Sequence, residues 1–336
     1  TIWTKSQASE ISYLKKARPM IDIRQLRYFI GIADHRSFTR AAEALNVAQP
    51  ALSLHVRHME AELGVPLLLR TSRGAEPTES GMILLRHARA ILDQLAVAEE
   101  EIRGQTSDPA GEVRLGLPAT ICEVIAVPLI REVHQRHPKI RLRLAEAMSG
   151  YVQDWLKEGR LDLAILYNDI SDSRIASRKI LEEELILFGS PGLAEGSGLP
   201  PAGTAIARSV AFEMPLILPG ESHSLRRLLA DQSLATGHTL STVFDVDSYT
   251  NIKALVAQDL GFSILPRRAI EAAVDQGQLI FWPVSDPALM RTIHLSIRKD
   301  RPRTNAVAAV EVLTESLLTS LVTSGAWIGT RLFTGD

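Results

Sequence analysis

The 336-residue sequence predicts an α/β protein with an all-α-rich N-terminal part, and three patterns carry that prediction. Residues 22–63 place apolar side chains at helical spacing in three short pieces, followed by a strand, a loop and a strand. Residues 78–103 form one helical pattern without proline and with a heptad seam. From Glu112 onward, short apolar runs of strand type alternate with helical ones. Charged residues are 23% and hydrophobic ones 46%, which suits a folded, soluble chain of two or three domains.

The first 19 residues are polar and aperiodic and read as a disordered extension. They lack the apolar core of a secretory signal. The first helix is expected at about 23–34, with Leu26, Phe29, Ile30 and Ala33 inward. Ser37 is a plausible N-cap for a second, which turns Phe38, Ala41, Ala42 and Leu45 inward. A third runs from about Gln49, with Pro50 in its first turn, to Leu63, and ends at Gly64. Its expected buried stripe is Leu52, Val56, Met59 and Leu63. Leu67–Leu69 reads as a strand and Thr71–Pro77 as a tight loop, so residues 20–77 make a winged helix-turn-helix.

The helix over 78–103 spaces Leu84, Ala88, Ile91, Leu95, Ala98 and Ile102 by 4, 3, 4, 3 and 4, a dimerisation seam. Residues 104–111 are a hinge. An α/β region follows over 112–322, in two lobes: about 112–190 with 288–322, and about 191–287. Its strands are expected at 113–117, 140–145, 161–166, 184–188, 215–218, 242–246, 262–265 and 292–297, and its last helix at about 304–322. Residues 323–336 read as a tail.

The net charge of −2 excludes a globally polybasic protein, so any nucleic-acid site must be local. Within 22–80 seven arginines face seven acids, and placement matters more than sum. The third helix turns Pro50, Leu54 and Arg57 away from its buried stripe, flanked by Ser53 and His58. A recognition helix needs polar or small groups near its N-terminal end, and Gln49, Ser53 and Arg57 meet that need. Arg70 and Arg73 bracket the wing, where a guanidinium reaches phosphates or a narrow minor groove. Ser37 and Arg40 open the second helix, whose N-terminus suits a phosphate. A lone arginine on a helix face is as a rule merely solvated. The combination with a wing and a pairing helix is what points to DNA.

The run Phe38-Thr39-Arg40-Ala41-Ala42-Glu43-Ala44-Leu45-Asn46-Val47-Ala48-Gln49-Pro50-Ala51-Leu52-Ser53 resembles the N-terminal signature of LysR-type transcriptional regulators. So do residues 59–64, 68–74 and 77–81. Residues 111–116, Gly159-Arg160-Leu161-Asp162-Leu163-Ala164-Ile165 and Leu260-Gly261-Phe262-Ser263-Ile264-Leu265-Pro266 extend the likeness, which covers about 20–322. Residues 87–89 and 165–167 lean toward the nitrogen-assimilation-control and cyanate-regulator side of the family. The resemblance implies a third helix in the major groove with Gln49, Pro50, Ser53 and Leu54 facing it. Arg70 and Arg73 would lie on the wing. Leu54 departs from the polar residue often found there, and could instead meet a thymine methyl.

Ligands of open α/β folds sit beyond the carboxyl ends of the strands. The strand over 113–117 ends at Pro118-Ala119-Thr120, 140–145 leads to Ser149, and 161–166 ends at Tyr167 and Asn168. These resemble the inducer-contacting positions of the family's two-lobed, periplasmic-binding-protein-like effector domain. The second lobe would add His223, Thr250 and Phe262. Asp259 stands where glycine is common. The single cysteine, Cys122, excludes an intramolecular disulfide and is read as packing; no metal site is expected. No catalytic or cofactor motif is present, so no catalytic residue and no cofactor beyond a small-molecule effector are expected.

The expected function is a sequence-specific DNA-binding transcription regulator, cytoplasmic and not an enzyme. Its expected partners are double-stranded DNA with a near-palindromic operator, an effector whose anionic character would suit helix N-termini, and itself, as a dimer and then a tetramer. RNA polymerase is a further candidate partner, and no membrane is expected, since no apolar run reaches the roughly 18 residues of a spanning helix. A solute-binding protein and an effector-independent regulator of the same family are the alternatives.

Overall fold

The computed structural model describes residues 21–71, 74–103, 108–167 and 170–334. The chain divides into two compact units, the second beginning at Glu100. The expected extension over 1–19, residues 104–107 of the hinge, Arg73 and Asn168 lie outside the described residues.

The first unit packs α1 (Ile23–His35), α2 (Phe38–Leu45) and α3 (Gln49–Leu63) around Phe29, Ile32, Ala41, Ala42, Leu52, Val56 and Met59. Asp22 and Gln25 form a capping box at α1, and the Ser37 hydroxyl accepts Arg40 N–H at 3.3 Å at α2. The wing is two antiparallel strands, β1 (Leu68–Thr71) and β2 (Gly74–Pro77). Most of the expected loop is thus the second strand. Gly74 has φ +127°, and a Cβ there would lie 2.1 Å from the Arg36 carbonyl oxygen, so the wing root requires glycine.

The linker helix, α4 (Glu79–Arg103), starts where the Thr78 hydroxyl accepts Gly81 N–H at 3.0 Å and donates to the Pro66 carbonyl at 2.7 Å. Arg89 is buried and pairs with Asp34 of α1. The expected seam divides in consequence. Ala88 is fully buried inside the chain, so it is not free for a partner, and Leu84 turns part of its side chain onto the winged-helix core. Ile91 is 46% and Ile102 85% exposed, with Leu95 and Ala98 half-buried. Leu63 is a second correction: it ends its helix beyond the packed stripe and is exposed.

Among the described residues the second unit holds one nine-stranded sheet with helices over it, and a small separate pair of strands at 216–218 and 242–245. Lobe 1 comprises β3 (Gly111–Leu117), α5 (Ala119–Arg136), β4 (Ile140–Glu146), α6 (Ser149–Lys157) and β5 (Leu163–Leu166). The fifteen-residue β6 (Ile175–Gly189) then runs into lobe 2. Lobe 2 holds α7 (Pro191–Ala194), β7 (Ile206–Ala207), α8 (Arg208–Glu213), β8 (Leu216–Leu218), α9 (Ser224–Ala235) and β9 (Thr242–Asp245). It continues with α10 (Tyr249–Val256), β10 (Ser263–Pro266), α11 (Arg267–Asp275) and β11 (Ile280–Ser285). The chain returns along β12 (Met290–Arg298) to α12 (Asn305–Thr323) and β13 (Thr330–Leu332).

Leu181 belongs to the core of lobe 1 and Leu185 to that of lobe 2, and where the chain returns along β12 the change falls between Leu289 and Ile293. The lobes therefore meet inside β6, near 182–184, and not at 190. The expected tail over 323–336 is not free over its described residues, which end at 334: Trp327 is buried in lobe 1 and β13 pairs with β6. By length and composition α12 could cross a membrane, contrary to the sequence expectation, but it packs Val310, Leu313 and Leu318 into lobe 1. Its Glu311 and Glu315 are paired with Arg303 and Arg178.

The Gly159–Ile165 motif serves structure. The buried Asp162 carboxylate accepts the backbone N–H, Nε and Nη2 of Arg114, at 2.8, 3.1 and 2.8 Å, and pairs with Arg301 at 3.2 Å. Burial alone would raise its pKa; the two guanidiniums overcome that and hold it below the ordinary carboxylate range.

Candidate functional site

In the first unit the exposed face of α3 carries Pro50, Leu54, Arg57 and His58. Leu54 is 47% exposed, so its side chain is available on that face. Ser53 is a correction to the sequence expectation. It lies at the border of the buried stripe, only 7% exposed, and its hydroxyl accepts from Gln49 Nε2 at 3.0 Å. Ser53 thus sets the side chain of Gln49 instead of pointing outward itself. Arg57 Nε donates to the Ser53 carbonyl at 3.3 Å, which anchors the guanidinium on the helix surface. Arg70 on β1 is exposed, and its guanidinium lies 4.8 Å over the Phe38 ring, joining wing to α2. Arg40 is exposed beside the N-terminus of α2. Sequence reasoning missed Glu60, whose carboxylate accepts the N–H groups of Leu67 and Leu68 at 2.8 and 3.2 Å and fixes α3 against the wing.

In the second unit a cavity of about 320 Å³ lies between the lobes. Thr120, Ser149 and Tyr167 line it from lobe 1, and His223 and Thr250 from lobe 2. Four helix N-termini meet there, those of α5, α6, α9 and α10. The ends of α5 and α6 have no side-chain cap, so their first N–H groups are left for an acceptor. Glu123, Glu146 and Asp247 complete the wall.

Phe262 is not among these lining residues, and its expected role is corrected. Its ring is buried in lobe 2, 6.0 Å from Trp282 and against Gly189. It sits one residue before β10, where the apolar side of the chain faces the core. Asp259 is likewise outside the lining. It adopts φ +62° and accepts from the Ser190 hydroxyl at the start of α7.

Behind the cavity lies a buried charge pair that the sequence did not announce. Arg291 and Glu183 are register partners on β12 and β6, 1% and 2% exposed at the side chain. Arg291 Nε donates to Glu183 Oε2 at 2.7 Å, and its Nη2 donates to Thr120 Oγ1 at 3.2 Å. The guanidinium also stacks 3.6 Å from the Tyr167 ring centroid, and the Tyr167 and Thr120 hydroxyls share a short hydrogen bond. Burial opposes the Arg291 charge, but Glu183 outweighs it and raises the pKa. Burial likewise pushes the Tyr167 phenol well above its ordinary value, so both hydroxyls stay protonated.

Burial, reinforced by the Arg291 charge, pushes His223 down to about 4, so it is neutral near pH 7. Its Nδ1 accepts Leu225 N–H at 3.1 Å, which leaves the proton on Nε2. Burial and the neighbouring Glu146 push the Cys122 thiol up to about 11, away from reactivity. No cluster of three metal-ligating side chains occurs among the described residues.

Residues 23–82 match the family model for the bacterial regulatory helix-turn-helix protein, lysR family, and residues 106–317 match the LysR substrate binding domain. The chain belongs to the LysR family of transcriptional regulators. It is 31% identical over 278 residues to the nitrogen assimilation regulatory protein of Klebsiella aerogenes, covering 82% of this chain and 88% of that one. It is 30% identical over 284 residues to the DNA-binding transcriptional dual regulator OxyR of Escherichia coli, covering 84% and 91%. A full-length OxyR variant of Pseudomonas aeruginosa, with one cysteine replaced by aspartate, superposes with a TM-score of 0.76 at 25% identity, covering 95% of this chain and 100% of that one. As a LysR-type regulator the chain is a DNA-binding transcription factor with an effector-binding domain, and not an enzyme. The helix-turn-helix rules out the solute-binding alternative.

Proposed function

We propose that this regulator reads a near-palindromic operator with α3 and its wing, and that its output is set by a small molecule held between the lobes of the second unit. Gln49, Pro50, Leu54 and Arg57 meet base edges and adjacent phosphates, with Ser53 orienting Gln49. Ser37, Arg40 and Arg70 contact the backbone. The exposed part of the α4 seam, Ile91 to Ile102, pairs two copies; two such pairs make a tetramer. The protein works in the cytoplasm, where its operator is, and RNA polymerase is the expected recipient of its signal.

One observation carries the effector reading: five polar side chains from separate segments converge on one cavity against four helix N-termini. The uncapped ends of α5 and α6 favour an acceptor group on the ligand. Glu123, Glu146 and Asp247 favour donors on its other end, so a plain polyanion is a poor match. A thermal-shift screen of metabolites carrying both group types, on wild type and Thr120→Val, tests this. The reading expects a compound that stabilises the wild type and loses that effect in Thr120→Val, which keeps the shape and removes the hydroxyl. If every compound acts equally on both, Thr120 is not in the effector site. A regulator that acts without effector would show no stabilisation by any of them.

A further inference from the structure

The segment after α12 lies beyond the residues matched by the family model, which end at 317, yet it is built into the hinge of the effector domain. Trp327 is 2% exposed and donates from Nε1 to Glu183 Oε1 at 3.2 Å. The other oxygen of that carboxylate holds Arg291, and Arg291 in turn holds Thr120 under the cavity. β13 then pairs Thr330, Arg331 and Leu332 with Glu183, Glu182 and Leu181, the residues where β6 passes between lobes. The Gly329 carbonyl accepts Glu184 N–H at 2.7 Å, and the Gly329 backbone packs so closely on Arg267 of lobe 2 that a Cβ would lie 2.8 Å from it.

We propose that Trp327 is a positioning residue for the effector cleft. It holds the Glu183 carboxylate at the orientation in which one oxygen fixes Arg291, so that Arg291 presents Thr120 and Tyr167 to the cavity. A carboxylate with one oxygen bonded to an indole N–H has lost its freedom to rotate about the Cγ–Cδ bond. Without that tie, Glu183 could follow Arg291 as the lobes move, and the cleft floor would not keep one geometry. The C-terminal strand thereby joins the hinge to the cleft in a line of three hydrogen bonds, from Trp327 through Glu183 and Arg291 to Thr120. The proposal rests on the reading of this cavity as the effector site, but its test requires no effector.

The full-length protein carrying 5-fluorotryptophan is measured by ¹⁹F NMR, with the Trp327 signal assigned by elimination from the signals lost in Trp3→Phe, Trp155→Phe and Trp282→Phe. Thr120→Val, three hydrogen bonds away, should shift the Trp327 signal and leave that of Trp282 in lobe 2 in place. The single cysteine gives a second readout, since Cys122 is half-buried on α5 beside cleft-lining Glu146. Trp327→Phe keeps an aromatic ring and removes the N–H, and it should raise the rate of Cys122 with a thiol-reactive disulfide severalfold. A Trp327 signal unmoved in Thr120→Val overturns the proposal, whatever the thiol rate, because loosened packing alone would then explain the faster reaction. Because the NMR test keeps Trp327 intact, it stands even if Trp327→Phe fails to fold. A shifted signal in a protein that no metabolite stabilises would uphold the hydrogen-bond line while removing the effector reading.

Discussion

Glu183→Gln is the sharpest test of the energetics beneath the cavity. Glutamine has the shape of glutamate, but with its oxygen accepting from Trp327 its amide NH2 faces the Arg291 donors, so the substitution removes both the charge and the acceptor that Arg291 uses. Arg291 is then left as a cation 1% exposed with no anion beside it, where Glu183 now lies 2.6 Å away. Breaking such a buried pair by removing one partner costs about 3–5 kcal/mol. For a domain of this size each kcal/mol moves the midpoint by roughly 2–4 °C, so the expected fall is roughly 6–20 °C. The double variant Glu183→Gln, Arg291→Met leaves no charge at this site, and it should be more stable than Glu183→Gln alone. Urea unfolding of the wild type, both single variants and the double variant measures the coupling, with m-values checked for constancy. If the double variant loses the sum of the single losses, the two groups are independent and the charge-pair account fails.

The pH dependence has a definite sign at His223. Its pKa falls from about 6.5 unfolded to about 4 folded, so the unfolded state binds the extra proton in between. Stability from this group is present above pH 6.5 and is lost as pH falls toward 4; His223→Phe should flatten the stability profile in that window, and an unchanged slope would refute the assignment. Asp162 adds a loss at still lower pH, as protonation below its depressed pKa breaks the pairs to Arg114 and Arg301, and Asp162→Asn should remove that component in the same titration. Leu95→Asp places a charge in the exposed half of the α4 seam and should reduce the oligomer seen by sedimentation, while Ala88→Ser, buried inside the chain, should lower stability without splitting it. An unchanged oligomer in Leu95→Asp would move the interface elsewhere.

Periodicity made the backbone of this fold legible. The three N-terminal helices, the Ser37 and Gly64 caps, and eight strands of the second unit follow from local spacing and capping chemistry, which act within a few residues. What was not legible depends on partners distant in sequence. Strand β13 has three half-exposed or exposed residues and no alternation worth reading; a single buried tryptophan and pairing to a strand about 150 residues earlier define it. Ser53 looked outward on a helical wheel, yet it sits at the edge of the stripe, where a few degrees decide burial. Ala88 fits a heptad equally well whether its neighbour is another copy or the same chain. At the cleft, helix starts and strand ends gave Thr120, Ser149, Tyr167, His223 and Thr250, because hydroxyls and helix N-termini have a sequence signature. Phe262 misled because an aromatic beside Leu-Gly suits a cleft wall and a core alike. Arg291 and Glu183 gave no signal, since a charge on a strand is normally solvated and only cross-strand register reveals the pair.

Sequence-specific DNA reading by α3 is the centre of the account, and selection from a random duplex library tests it most directly. The purified full-length protein should enrich a near-palindromic sequence, and Gln49→Ala should flatten the preference at one or two positions per half-site. The loss there should be roughly 1–3 kcal/mol, with affinity for scrambled duplex and its salt dependence nearly unchanged. A wild-type protein that enriches no sequence over the starting library, or a Gln49→Ala variant with the full wild-type preference, would contradict the account.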